Sequence, residues 1–148
     1  MNKVIKWISG SGDTHDFAYL SSCIKEHVSN NGKIFIGTDS FITGDDCVFA
    51  TAICLHGANN QRGGKYFFKR TRKSRKKFSE LLIRILREVQ DSIDTALTIA
   101  EKFPDAHLEI HLDIGTGQNS KTKKFVNMLT SYAWASASVA DRHSKKYL

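Results

Sequence analysis

Hydrophobic residues recur at helical spacing in three segments of the chain. The spacing from Phe17 to Val28 predicts a first helix, which Thr14 or Asp13 can cap. The longest stretch of the same period runs from Phe78 to about Phe103 and predicts a long second helix. A third helix is predicted after Ser120. Polar residues occupy the other positions of these segments, so each helix is expected to bury one side only.

Shorter apolar runs, rich in β-branched and aromatic residues, predict four strands. Short loops separate the first three strands, which predicts an antiparallel hairpin meander. The long helix lies between the third and fourth strands, so the fourth strand is expected to pair parallel to the first. The order β-β-β-α-β-α is that of an α/β protein with a mixed sheet flanked by helices. The predicted strands are residues 33–39, 47–56, 65–70 and a run that ends at Asp113.

Two of these runs deliver an aspartate at or near their carboxyl ends. The first reads Lys33 to Ser40 and contains Asp39, and the second ends at Asp113. Ligands collect at the carboxyl ends of parallel strands, so the two carboxylates are expected to be neighbours. Neighbouring carboxylates cannot both stay ionised at low cost unless a cation lies between them. The pattern therefore predicts a divalent metal, and the alternative is that one aspartate merely caps a turn.

The positive charge of the chain is concentrated in one segment. The net charge is +7, and outside residues 69–77 the chain has 15 basic residues against its 15 acidic ones. Clustered Lys and Arg bind nucleic acid by displacing its counterions, so this basic run predicts a polyphosphate partner. The alternative is a solvated loop that keeps the protein soluble. Its seven basic residues are Lys69, Arg70, Arg72, Lys73, Arg75, Lys76 and Lys77.

Length and composition bound the class of protein. A chain of 148 residues is expected to form one domain, residues 1–148, with a core of its own. No segment has the length of a membrane span, and the first residues lack the apolar stretch of a signal peptide. The three cysteines form no Cys-x-x-Cys pair, which favours buried thiols in a reducing compartment. We therefore expect a cytoplasmic protein with no membrane partner.

Four short motifs occur in order along the chain: they are Ile36 to Ser40, Arg87 to Ser92, His111 to Ile114 and Val139 to His143. Together they resemble the YkuK-type family of predicted ribonuclease H-like nucleases. The resemblance covers about residues 33–145 and implies a ribonuclease H-like fold. Family members carry a further strand before the final helix, and the interval 128–132 leaves little room for it, so this fifth strand stays open.

Geometry favours Glu88 over Glu80 as the carboxylate that the long helix supplies. This helix runs antiparallel to the fourth strand, which climbs about 20 Å from His107 to Asp113. About 20 Å of helix is some 13 to 15 residues, and counting back from Lys102 reaches Glu88. Glu88 also lies on the flank of the apolar stripe, whereas Glu80 lies nearly opposite it. The alternative for Glu88 is an exposed ion pair with Arg84.

The resemblance implies a two-metal nuclease that uses Mg²⁺ or Mn²⁺. Asp39 would bridge the two ions, Glu88 and Asp113 would hold one of them, and Asp141 would hold the other. His143 is a possible accessory residue, as a proton shuttle, as a phosphate contact or as an ordinary polar residue. The expected substrate is RNA, an RNA–DNA hybrid or structured DNA. The alternative is a non-catalytic nucleic-acid-binding module, which has no reason to keep four acidic residues near phosphate.

Overall fold

A computed structural model describes residues 5–112 of the chain. They form six strands, two α-helices and one 3₁₀ turn, and every peptide bond among them is trans. The two helices are α1 (Phe17–Ser29) and α2 (Leu81–Lys102), and the 3₁₀ turn is Arg75–Phe78. The strands are β1 (Trp7–Ser9), β2 (Thr14–His15), β3 (Lys33–Thr43), β4 (Asp46–His56), β5 (Lys65–Ser74) and β6 (His107–His111).

All six strands belong to one mixed sheet with the order β2-β1-β5-β4-β3-β6. β3, β4 and β5 form an antiparallel meander, in which β3 pairs with β4 along its whole length. β6 returns after α2 and pairs parallel to β3, from Lys33 opposite His107 to Gly37 opposite His111. The predicted mixed α/β architecture, a hairpin meander plus one parallel strand, is confirmed.

Both helices pack on the same side of the sheet, which we call the helix face. Period-two alternation sends Ile34, Ile36, Thr38 and Ser40 of β3 to this face, where they are buried. The other side, to which Asp39 belongs, is called the Asp39 face. The hydrophobic core lies under the helices and includes Trp7, Leu20, Ile24, Ile36, Ile53, Phe67, Val89, Ile93, Ile99 and Leu108.

Helix α1 begins at Phe17, and its cap is Asp16, not one of the two predicted residues. The Asp16 carboxylate accepts a hydrogen bond of 2.9 Å from the backbone N–H of Tyr19. Asp13, one of the two predicted caps, is occupied elsewhere: its backbone carbonyl accepts from the Ser9 N–H and its carboxylate accepts from the Ser11 hydroxyl. Thr14, the other, is part of β2. The prediction of Thr14 or Asp13 as the cap is therefore wrong.

Strand β3 continues four residues past Asp39, to Thr43. Gly44 has a φ of +57° and makes the turn into β4, where Thr43 lies opposite Asp46. Asp39 therefore lies inside a long hairpin and not at a strand end. It is nevertheless two residues beyond the last residue of β3 that pairs with β6. With respect to the parallel strand, Asp39 does lie at the carboxyl edge.

The amino-terminal hairpin β1–β2 is an element that the sequence pattern did not predict. Its two strands have three and two residues, too few to show a period. Trp7 of β1 is 3% exposed and belongs to the core, and Ile8 lies opposite Phe68 of β5. The hairpin therefore extends the sheet beyond the meander.

The remaining predicted elements lie outside the described residues. These are the helix after Ser120 and the interval 128–132 with its fifth strand. The fourth strand, predicted to end at Asp113, ends at His111, and Asp113 itself lies outside the described residues. Within residues 5–112, no helix is both long and apolar enough to cross a membrane.

Candidate functional site

Asp39 and Ser40 lie next to each other on β3 and point to opposite faces of the sheet. Asp39 is exposed, whereas Ser40 is 8% exposed on the helix face. The Asp39 carboxylate accepts a hydrogen bond of 2.8 Å from the backbone N–H of Ser40. This contact turns the carboxylate along the strand and leaves it at the surface.

A shallow depression of about 580 Å³ surrounds Asp39 on its face of the sheet. Its lining includes the small residues Ala50 and Ala52 of the neighbouring strand β4 and Gly37 of β3. A side chain at Gly37 would lie 3.3 Å from the backbone oxygen of His111. The small residues therefore leave room beside Asp39 for a ligand.

Glu88 reaches the same strand from the helix face. Its carboxylate accepts a short hydrogen bond from the hydroxyl of Ser40. Arg84, one helical turn earlier, donates to the Ser40 hydroxyl at 3.2 Å and to its backbone carbonyl at 3.1 Å. Glu88 is half-buried, not the exposed partner that the alternative reading describes. Ser40 therefore contacts Asp39 through its backbone and Glu88 through its side chain.

Buried hydroxyl groups hold the strand and the helix in register just before this point. Thr38 shares hydrogen bonds with Thr51 of β4, at 3.0 Å, and with Ser92 of α2, at 2.8 Å. All three residues are nearly inaccessible to solvent. Because each hydroxyl satisfies another, the contact tolerates burial and fixes the level at which Glu88 meets Ser40.

A second carboxylate of α2, Asp91, lies in a basic and partly apolar setting. Burial raises its pKa, and this outweighs the lowering effect of Arg87, whose Nε donates to it at 2.8 Å, and that of Lys69. The Arg87 guanidinium also lies 5.7 Å from the centre of the Phe49 ring. Asp91 lies one turn beyond Glu88, away from the level of Ser40.

The basic run does not form one continuous patch. Residues 69–74 extend β5, and Arg75, Lys76 and Lys77 form the exposed 3₁₀ turn before α2. Alternation along β5 divides the rest: Arg70 and Arg72 share the Asp39 face, while Lys69 and Lys73 belong to the helix face. A basic run that is continuous in sequence is therefore divided in the structure. The structure distributes it over both faces.

Aromatic residues accompany the arginines on β5, a feature that sequence reasoning did not use. Tyr66 and Phe68 share the Asp39 face with Arg70, whose guanidinium lies 5.1 Å from the centre of the Phe68 ring. The two aromatic rings are 24° from parallel, with centroids 6.4 Å apart. Their spacing of two residues was visible in the sequence, since alternate residues of a strand share a face.

The structure describes only part of the predicted set of carboxylates. Glu80 is exposed at the amino end of α2, where its side chain makes no capping hydrogen bond. Asp113, Asp141 and His143 lie outside the described residues. Between residues 5 and 112, no three His, Cys, Asp or Glu side chains are grouped closely enough to hold a metal ion. Of the four predicted ligands, Asp39 and Glu88 meet at Ser40 from opposite faces.

The protein is of the mixed α/β class, with one mixed sheet and both described helices on one of its faces, which is consistent with a ribonuclease H-like fold. Residues 17–145 match a family model described as Ribonuclease H-like. The chain therefore belongs to the ribonuclease H-like family, and the family predicted from the four motifs is confirmed. The match starts at α1, so the β1–β2 hairpin precedes it. No curated protein and no solved structure matches the chain significantly.

Proposed function

We propose that this protein is a metal-dependent nuclease that hydrolyses phosphodiester bonds in RNA, RNA–DNA hybrids or structured DNA. The observation that carries the proposal is that Asp39 and Glu88 both accept hydrogen bonds from Ser40, one on each face of β3, in a chain of the ribonuclease H-like family. The basic residues of β5 add the positive charge that a phosphodiester requires beside carboxylates.

The proposed metal ligands are Asp39, Glu88, Asp113 and Asp141, and the ion is Mg²⁺ or Mn²⁺. Carboxylate oxygens are the donors that such hard cations prefer, and the exposed carboxylate of Asp39 fits that requirement. The last parallel pair is Gly37 opposite His111, and Asp39 and Asp113 each follow that pair by two residues along the chain. These carboxylates would hold the cations, whose chemistry there would be the activation of a water molecule and the stabilisation of the leaving oxygen.

The protein's own residues would then orient the carboxylates and the substrate. Ser40 holds Asp39 through its N–H and Glu88 through its hydroxyl, and Arg84 fixes Ser40 in turn. Arg70 shares the face of Asp39 and would hold a phosphate group near it. His143 would contribute a proton transfer or a phosphate contact.

A non-catalytic nucleic-acid-binding module is the second candidate, and one observation favours it. Asp39 and Glu88 leave the sheet on opposite faces, and Glu88 already engages Ser40. Carboxylates in this arrangement could serve the fold alone, while Arg70 and Arg72 bind phosphate. The two candidates differ in one property that can be measured, which is turnover in the presence of Mg²⁺ or Mn²⁺.

The decisive experiment is a cleavage assay on labelled RNA, RNA–DNA hybrid, duplex DNA and branched DNA. The parent protein should cut at least one substrate with Mg²⁺ or Mn²⁺ and none with EDTA. Asp39→Asn should lower the rate by at least a hundredfold, because an amide oxygen is a poor bridge between hard cations. Because Asp39 is exposed and Asn can accept the same Ser40 N–H, the metal-free variant should be as stable as the parent. Cleavage by Asp39→Asn at the parental rate would refute the assignment.

The helix offers a matched pair of variants. Glu88→Gln should abolish cleavage and Glu80→Gln should not, because only Glu88 reaches Ser40. Mg²⁺ or Mn²⁺ should also stabilise the parent, by about 2.7 kcal/mol at a hundredfold excess over Kd. Thermal unfolding with and without the ion measures this, and the gain should vanish in Asp39→Asn. No cleavage and no thermal shift would leave the binding module as the function.

We further propose that the protein acts in the cytoplasm. Cys23, Cys47 and Cys54 are all free thiols in the structure. Unpaired cysteines are typical of a reducing compartment.

A further inference from the structure

The Asp39 face of β5 carries a row of aromatic and basic side chains. Tyr66, Phe68, Arg70 and Arg72 occupy alternate positions of the strand and therefore share this face. Tyr66 is 48% exposed, and both arginines are exposed. A single exposed ring is ordinary, but the Tyr66 and Phe68 rings lie side by side with Arg70 against Phe68, and such a patch points to a ligand.

The ring of Tyr66 is held in place by the amino-terminal hairpin. Gly10 follows β1, and its N–H donates to the backbone carbonyl of Tyr66 at 3.1 Å. A side chain at Gly10 would lie 2.9 Å from the Tyr66 ring, so the ring packs directly over the glycine. The exposed side of the ring is thereby presented in a fixed orientation, which lowers the entropy lost on binding a ligand.

Positive charge accompanies the rings at close range. The Arg70 guanidinium lies 5.1 Å from the centre of the Phe68 ring. Arg72 forms an exposed ion pair of 2.9 Å with Asp46, on the next strand. Two flat rings followed by two arginines suit a ligand that has both aromatic faces and negative charge, as a polynucleotide does.

The row leads towards Asp39. Arg70 lies opposite Ala50, and Ala50 lies opposite Asp39. Two strand spacings separate Arg70 from Asp39, which is about 10 Å. The residues between the row and Asp39 are small, so nothing bulky on β4 at these positions blocks the way: they are Ala50 and Ala52.

We propose that Tyr66, Phe68 and Arg70 form a stacking platform for single-stranded nucleic acid, which leads the strand towards Asp39. Bases can stack on protein rings only when they are not stacked and paired in a duplex. The platform therefore selects single strands, or single-stranded segments of a structured substrate. This inference rests on the proposed function and names the form of its substrate.

Binding without divalent ions tests the platform separately from catalysis. Fluorescence anisotropy in EDTA measures the affinity of the full-length protein for a labelled 12-nucleotide single strand, as RNA and as DNA, and for the corresponding duplexes. Tyr66→Leu should weaken single-strand binding about tenfold, the effect of losing one stacked base, and duplex binding less than twofold. Phe68→Leu should act in the same way, and Arg70→Gln should weaken binding to all four ligands.

Tyr19→Leu is the matched control. Tyr19 is 46% exposed, close to the exposure of Tyr66, but it belongs to α1 and its ring stacks on His15 at 4.0 Å. Its loss should leave single-strand affinity unchanged. Melting temperatures of all variants show whether the fold is intact, and Tyr66→Leu, at an exposed position, stays informative if Phe68→Leu unfolds.

The outcomes separate this inference from the proposed function. Equal losses of single-strand and duplex affinity in Tyr66→Leu, or no loss at all, would overturn the platform, even if Asp39-dependent cleavage is found. Selective loss of single-strand affinity in a protein that cuts nothing would support the platform and refute the nuclease.

Discussion

The two faces of β3 differ in exposure: residues on one face are buried, and residues on the other are exposed or partly exposed. On the helix face, Ile34, Ile36 and Thr38 are buried under α2 and its neighbours. On the other face, Asp39 and Phe41 are exposed to solvent. One strand therefore contributes alternate residues to the buried face and exposes residues such as Asp39 between them. Stability and function should separate residue by residue along it.

The largest expected effect on stability comes from the helix face. Ile36 is 1% exposed in the core, and Ile36→Ala should lower the free energy of unfolding by about 2 to 5 kcal/mol. Phe41→Ala, on the other face, should cost less than about 1 kcal/mol, since Phe41 is 46% exposed. Urea denaturation of both variants measures the difference. Equal costs would show that both faces of β3 contribute equally to the core.

A smaller effect is expected from the buried hydroxyl groups. Thr38→Val keeps the shape of the side chain but removes the hydroxyl that Thr51 and Ser92 contact, and this should cost about 1 to 3 kcal/mol. Thr43→Val, at an exposed position of the same strand, is the control and should change stability little. Denaturation midpoints report both changes. A stable Thr38→Val would mean that these hydroxyls contribute nothing net.

The basic residues of β5 allow the two faces of the sheet to be compared for nucleic-acid binding. Replacing Arg70 and Arg72 by Gln should reduce the salt dependence of nucleic-acid binding by about two phosphate contacts. Replacing Lys69 and Lys73, on the helix face, should reduce it much less. The slope of log Kd against log salt concentration is the measurement. Identical slopes for the two double variants would show that the face does not decide which cations touch phosphate.

The smallest effect concerns Asp91, on the helix side. Burial raises its pKa above the ordinary value, so the folded state holds the proton more tightly than the unfolded state. Stability from this group is therefore full below the ordinary pKa of an aspartate and is lost as the pH rises through the raised value. Asp91→Asn should remove that dependence. Unfolding measured from pH 3.5 to pH 7 should show the parent losing stability relative to the variant, and a constant difference would contradict this.

Long periodic elements could be predicted from the sequence, and short ones could not. The apolar stripe from Phe78 to Phe103 identified α2, which spans Leu81–Lys102. β1 and β2 were not predicted, because strands of three and two residues are too short to show an alternation of apolar and polar positions. The last four residues of β5, Thr71 to Ser74, were not predicted as strand either. They show no apolar alternation, and the long apolar stems of Lys and Arg can lie along a sheet while their charges reach water.

The sequence predicted how far along the sheet Glu88 lies, but not which face of the sheet α2 covers. Counting helix residues against strand residues brought Glu88 to the level of the β3 motif, and in the structure it contacts Ser40. Alternation also implies that Asp39 and Ser40 face opposite ways. Which of the two faces α2 would cover was not readable, because Phe35 and Ile36 are both apolar and either could have pointed to the core.

The pairing of β5 has a consequence for how the molecule behaves in a crowded solution. On one side β5 pairs with β4 throughout, but on the other β1 covers only Phe67 and Phe68. Within the described part of the chain, Lys69 to Ser74 therefore form a bare sheet edge, which is the kind of surface that recruits strands from other molecules. Five of these six residues are Lys, Arg or Thr, and four carry positive charge. Two copies meeting edge to edge at this segment would repel each other, so the charge that suits a polyanion also protects the protein from aggregating with itself.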